Sequence, residues 1–313
     1  MRRRLALPAL VVTLLLVAAA CGSGSASETR GAADADTPST TQEQERSTKT
    51  TEATAAAADC GSVTSTYRDV QSANADLPAP ELTVTCADDV VHVETNAIPD
   101  YPYVQTTPGD LEARDATFEI PVTPTEADTP GEIPRVGPSA VAIDGVPIFG
   151  PTEATGGDVL SLSGALSECG SHNGPPGFHL HLFGWADGVQ CIYTAEEVES
   201  GSQLVGWSLD GYPIMSGVVC VDDECSGTEQ LESSWQLSDE SLFASDTWSA
   251  HSYVEGSGDL DECNGRVDED GQYRYYTTPT FPYYMGCYRG ELLDSSGAGG
   301  AGLGGPGGVP MRP

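Results

Sequence analysis

Cationic side chains are nearly missing from this chain. One lysine, Lys49, and 12 arginines face 47 Asp and Glu over 313 residues, giving a formal net charge of -34. Phosphate contact needs clustered cations, so nucleic-acid binding is excluded as a function class. An anionic leaflet would repel the same surface. No apolar run reaches the ~20 residues of a membrane-spanning helix. No C-x-x-C pair occurs, which removes the usual cysteine-ligated zinc pattern. G-x-S-x-G is absent too, so serine-hydrolase chemistry finds no support. Hydrophobic residues at 39% still suffice for a core, and the acidity therefore belongs to a folded surface and not to wholesale disorder.

The first residues carry an address. Arg2, Arg3 and Arg4 precede an apolar stretch from Leu5 to Ala20, which ends Ala18-Ala19-Ala20-Cys21-Gly22. A basic start, a short apolar run and small residues at its end describe an export signal over 1–20. The ending resembles a bacterial lipobox, with Ala18 where Leu is usual. Cys21 is then the expected lipidation site, holding the protein at the outer face of a cell membrane. An ordinary secretory signal is the alternative. From Gly22 to Asp59 there is no aromatic, Leu, Ile, Val or Met, so 21–59 is expected to be a disordered tether. Residues 295–313 are Gly-rich and expected to be a disordered tail. The folded part spans 60–294, with six arginines and no lysine.

Eight cysteines remain beyond Cys21, an even number in an exported chain, which implies disulfides. Near-neighbour pairing gives Cys60–Cys86, Cys169–Cys191, Cys220–Cys225 and Cys263–Cys287, each bridge contributing about 2–4 kcal/mol through the unfolded state. Leu82–Thr85, Val90–Val93 and Phe118–Val122 read as strands, the last an edge because of Pro121. Thr194–Val198 and Glu229–Gln236 are the best helical candidates. The expected fold is mainly β: one disulfide-stapled domain with a few short helices.

That domain contains a duplication. Val141-Ala-Ile-Asp144-Gly145-Val-Pro-Ile-Phe149 is echoed by Trp207-Ser-Leu-Asp210-Gly211-Tyr-Pro-Ile-Met215. Downstream of the first lie Cys169, His172, Phe178-His179-Leu180-His181 and Cys191. Downstream of the second lie Cys263, Arg266, Tyr273-Arg274-Tyr275-Tyr276 and Cys287. The units run over about 136–192 and 203–290, and the second holds an insertion around Cys220–Cys225. The Asp-Gly pairs read as type I′ hairpin turns in preference to catalytic acids.

Only five histidines exist, and three fall within ten residues: His172, His179 and His181. On a strand, His179 and His181 share a face about 6–7 Å apart along the backbone, and the Asn173-Gly174 turn can return His172 to them. Three imidazoles with an open position suit Cu or Zn. Glu168 is then the candidate base or supporting partner. In the second unit Arg266 and Arg274, with Arg289, are candidates to grip an anionic ligand; the alternative is pairing with nearby carboxylates. Asp259-x-Asp261-x-x-Asn264-Gly265 approaches a calcium loop with one residue too many and no closing Glu, so Ca is disfavoured.

Asn96-Ala-Ile-Pro-Asp100, Ile143–Phe149, the Cys169–His172 and Phe178–His181 blocks, Leu209–Ile214, Leu260-Asp-Glu-Cys-Asn-Gly-Arg266 and the Phe281–Gly290 stretch together resemble the bacterial YHYH-domain family over most of 90–290. The naming Tyr-His-Tyr-His stands here as Phe178-His179-Leu180-His181, with both histidines kept and both tyrosines lost. The resemblance implies an exported, often lipid-anchored protein and no particular reaction. Two function classes follow. One is a cell-surface metal-binding module, with metal-assisted hydrolysis as a variant. The other is a metal-independent binding or adhesion module that holds a sugar or peptide on the tyrosines of the second unit.

Overall fold

The computed structural model describes residues 59–294. The expected signal over 1–20, the expected lipidation site Cys21, all but the last residue of the expected tether and the expected tail over 295–313 lie outside the described residues. No helix among the described residues is long and apolar enough to cross a membrane.

Strands Leu82–Ala87 (β1), Val90–Thr95 (β2) and Ala116–Pro121 (β3) form a small antiparallel sheet in that order. Along β2 and β3 the apolar residues alternate, so Val91, Val93, Phe118 and Ile120 all point into one core, as a period of two requires. The edge strand β3 ends at Pro121, where an absent N–H costs no ladder bond. A one-turn helix, Cys60–Thr64, is capped by the Asp59 carboxylate and stapled to β1 by Cys60–Cys86.

The larger sheet is built of Pro138–Ala142 (β4), Pro147–Phe149 (β5), Ser171–Gly174 (β6), Gly177–Leu180 (β7), Leu204–Ser208 (β8), Pro213–Met215 (β9), Gly265–Val267 (β10) and Tyr273–Tyr276 (β11). Its order is β10-β11-β9-β8-β4-β5-β7-β6. Read outward from the centre, each half repeats the other. β4 and β8 pair antiparallel at the middle. Each then meets its hairpin partner antiparallel, the next strand parallel and the edge strand antiparallel. Register agrees as well: Ile148 lies beside Leu180, and Ile214 beside Tyr275. The duplication read in the sequence is thus a two-fold repetition of strand order within one sheet.

The turns differ from the type I′ expectation. Gly145 N–H donates to the Ala142 carbonyl and Gly211 N–H to the Ser208 carbonyl. Type I′ needs positive φ at both central residues. Here only the glycines have it, Gly145 at 86° and Gly211 at 91°. Each Asp-Gly therefore ends a three-residue loop, with glycine supplying the left-handed position.

The second half is stretched between β9 and β10 by two hairpins, which pair 218–220 with 228–230 and 235–237 with 251–253. The expected helix over Glu229–Gln236 is replaced by strand at both ends. A segment of two turns nucleates poorly as a helix, and sheet pairing is available on either side. The helix at Ala195–Glu199 does form, capped by Thr194 and Glu197. Disulfides join Cys169 to Cys191, Cys220 to Cys225 and Cys263 to Cys287.

Candidate metal centre

The outer hairpin of the first half brings three imidazoles together. His172 on β6 sits opposite His179 on β7, and His181 follows two residues later on the same face. His179 Nε2 lies 3.0 Å from His172 Nε2 and 3.0 Å from His181 Nε2. All three residues are at most 6% exposed. Among the described residues, this is the one group of three or more His, Cys, Asp or Glu side chains that could share a metal ion.

The back nitrogens decide what the front ones carry. His179 Nδ1 is 2.8 Å from the Gly177 carbonyl, and His181 Nδ1 is 2.7 Å from the Gly150 carbonyl. A carbonyl can only accept, so both Nδ1 atoms bear the proton, and in the neutral rings both Nε2 atoms carry a bare lone pair. Burial lowers the pKa of all three histidines. His181 falls to about 4; His179 falls well below its ordinary value, mainly through burial and then through the neighbouring rings; His172 is lowered by burial. The rings are therefore neutral at pH 7. Two lone pairs 3.0 Å apart repel, and no proton is held between them. A metal ion held here would resolve that conflict, since it can accept both pairs at ~2.0–2.1 Å each. His172 lacks so firm a bond at its back nitrogen, and the Ala165 carbonyl beside it works against the lowering by burial.

The walls are specific. The Phe149 ring lies nearly flat on His179, centroids 4.0 Å apart, and stands edge-on to His181 at 6.0 Å. Edge strand β6 is covered by the preceding loop: Thr107 donates to the Asn173 carbonyl, and Asn173 Nδ2 to the Asp110 carbonyl. Such cover protects an exposed strand edge. Glu168 is not among the residues gathered at the centre. It is exposed, while Cys169 beside it is buried. The supporting role expected of it belongs to the Gly150 and Gly177 carbonyls. Sequence reading had little access to these, because any residue offers a carbonyl; only the left-handed φ of 112° at Gly177 leaves a trace, as a glycine.

The corresponding corner of the second half holds opposite charge. Arg266 faces Arg274 across β10 and β11, as His172 faces His179. Both guanidinium groups close on Asp268, Arg266 Nε at 3.0 Å and Arg274 Nη1 at 2.8 Å, and the Tyr276 hydroxyl donates to the same carboxylate at 2.5 Å. Arg274 also grips Asp270 bidentately, and Arg289 pairs with Glu126. The arginines thus spend their donors on internal carboxylates. The tyrosines do likewise: Tyr273 donates to Asp261, Tyr275 to Asp210 and Tyr283 to Asp158. Asp261 Oδ1 meanwhile accepts from Cys263 N and Gly265 N, so the partial calcium motif is a turn cap.

Asp144 and Asp210, the paired Asp-Gly acids, are both buried but unequally served. Asp210 Oδ2 accepts from the Tyr275 hydroxyl at 2.5 Å and Gly290 N at 2.8 Å. Asp144 Oδ1 accepts from Val146 N at 3.2 Å, while its Oδ2 has no partner. The reason is in the register: Leu180 occupies the place of Tyr275. Burial, then the Asp100 charge, pushes the Asp144 carboxyl up to about 7.

No curated protein and no solved structure matches the chain. The YHYH protein family matches residues 117–290, a stretch of 174 residues out of 313 that begins in β3 and takes in both halves of the large sheet with the three histidines. The chain belongs to the YHYH protein family.

Proposed function

We propose that this protein is a cell-surface lipoprotein, held through lipid on Cys21, whose folded region binds one transition-metal ion through His172, His179 and His181. The observation that carries the metal reading is the contact between His179 and His181, where two carbonyl-fixed tautomers aim bare Nε2 lone pairs at one point. Imidazole nitrogen suits both zinc and copper. A bound ion supplies Lewis acidity or, for copper, one-electron chemistry; the chain's residues hold it, fix its ligands' tautomers and keep the surroundings apolar through Phe149. Hydrolysis has less support, because no carboxylate joins the triad among the described residues. The adhesion reading has less support, since Tyr273, Tyr275, Tyr276 and Tyr283 are turned inward onto carboxylates and Tyr284 and Tyr288 are buried.

The test uses residues 22–313, produced without the leader and stripped with chelator. Zn²⁺ or Cu²⁺ is added, and bound metal and melting temperature are measured. One ion per chain is expected. At a free-ion concentration of 100 Kd the stabilisation is about 2.7 kcal/mol, a rise of roughly 5–11 °C for a fold of this size. His179→Ala combined with His181→Ala should show neither. Equal binding by wild type and double mutant would overturn the proposal.

A further inference from the structure

We propose that Gly174 keeps one coordination position of the triad's metal ion open to solvent, wide enough for a ligand of a few atoms and no more. This rests on the metal reading above. Phe149 covers His179 and His181, and the back nitrogens of those two rings are tied to Gly177 and Gly150. Beside His172 and His179 stands Gly174, at the tip where β6 turns into β7. A Cβ placed there would lie 3.9 Å from His172 Nε2, 3.1 Å from His179 Cε1 and 3.4 Å from Pro176 Cδ.

Glycine usually marks a left-handed backbone, yet Gly174 is not in that region, whereas Gly177 in the same turn is, at 112°. Backbone conformation therefore does not demand glycine at 174. What the missing side chain spares is crowding of the centre, since a Cβ would press on the His179 ring at 3.1 Å and stand 3.9 Å from His172 Nε2. Gly174 is itself half-exposed while the histidines beneath it are buried, so the triad lies one residue below the surface. Pro175 and Pro176 stiffen the rim. An opening the width of one side chain admits water, a small anion or a diatomic molecule, and excludes a sugar, a peptide or a nucleotide. The class of ligand that reaches this ion is thereby set.

Azide on the Cu²⁺-loaded protein is the probe, because its coordination gives an optical charge-transfer band that reports binding without any turnover. Wild type should bind one azide per copper. Gly174→Val should keep one copper per chain and bind azide at least tenfold more weakly. Gly174→Ala, whose Cβ needs only a few tenths of an ångström, should fall between them, and it decides the matter if the valine variant fails to fold or loads no copper. Azide binding unchanged in the substituted protein overturns the inference. So does a wild type that takes copper but no azide, and in that case the metal reading stands. A wild type that takes no metal brings down both.

Discussion

Replacing Asp144 with asparagine should stabilise the protein, and by an amount that grows with pH. The Asp144 carboxyl is 1% exposed, its Oδ2 is unpartnered, and its folded pKa is raised from 3.8 to about 7. Around it stand Asp100, which raises it further, and Arg68, which partly offsets this but lies 3.9 Å from Asp100. The buried Tyr101 and Tyr284 hydroxyls feel the same carboxylate's charge, yet neither donates to it. An acid whose folded pKa exceeds its unfolded one binds more protons when folded, so stability falls as pH rises through that window. The penalty begins near pH 4 and is complete above pH 7. A carboxyl raised this far costs on the order of 4 kcal/mol at pH 8, against about 1 kcal/mol at pH 4.5. Asn keeps an oxygen for Val146 N and removes the charge. Chemical denaturation of metal-free wild type and Asp144→Asn, compared from pH 4.5 to 8, should show the variant's advantage widening by about 3 kcal/mol. Titrations of groups that do not interact with Asp144 cancel in the difference. A gap that stays constant with pH, or one that closes, would refute a buried charged carboxylate at this site.

Leu180→Tyr should place in the first half the donor that Tyr275 gives Asp210. The larger ring costs about 1–3 kcal/mol in a filled core, but hydrogen bonding to the carboxylate lowers the Asp144 pKa. Its stability should therefore decline less between pH 4.5 and 8 than that of wild type, as read by the same denaturation series; an equal slope would disprove the pairing. Asp268→Ala should leave Arg266, Arg274 and the Tyr276 hydroxyl without their common acceptor. The pairs are partly exposed, so screening limits the loss to about 1–2 kcal/mol. Melting temperature should fall by a few degrees while metal binding at the histidines is unaffected.

Periodicity and spacing made much of this fold legible. Val90–Val93 and Phe118–Ile120 alternate cleanly, and each forms a strand because one face meets the core. The duplication showed itself through Asp-Gly-x-Pro-Ile at 144–148 and 210–214, residues that a tight loop and a buried strand both restrict. The three histidines stood out because so few others exist. Tertiary contacts hid the rest. Glu229–Gln236 has local helical character that sheet pairing overrides. The tautomer of His181 depends on the Gly150 carbonyl, 31 residues away. Glu168 looked close to the centre in sequence, yet the turn before Cys169 carries it to the surface. The type I′ reading failed because the loops contain one residue more than a two-residue hairpin.

The two halves show what a shared backbone leaves undecided. Register places 172 against 179 and 266 against 274 in the same way, so geometry alone brings three side chains to one point in each. In the first half those side chains are imidazoles, of which His179 and His181 turn their lone pairs on one point, an arrangement that could hold a cation. In the second they are two guanidinium groups and a phenol, whose protons converge, and the chain supplies the anion itself as Asp268. The corner offers a metal ion no free lone pair, because its carboxylate already accepts from both guanidinium groups and the phenol, and the proposed stoichiometry is therefore one ion per chain and not two. The acidity of the protein fits the same division. Asp158, Asp210, Asp261 and Asp268 each accept a tyrosine hydroxyl and are occupied as structural acceptors, whereas the metal centre has no carboxylate of its own. In the proposed centre, buried neutral donors would leave the charge of the ion uncompensated, and a small anion at the position inferred beside Gly174 would balance it.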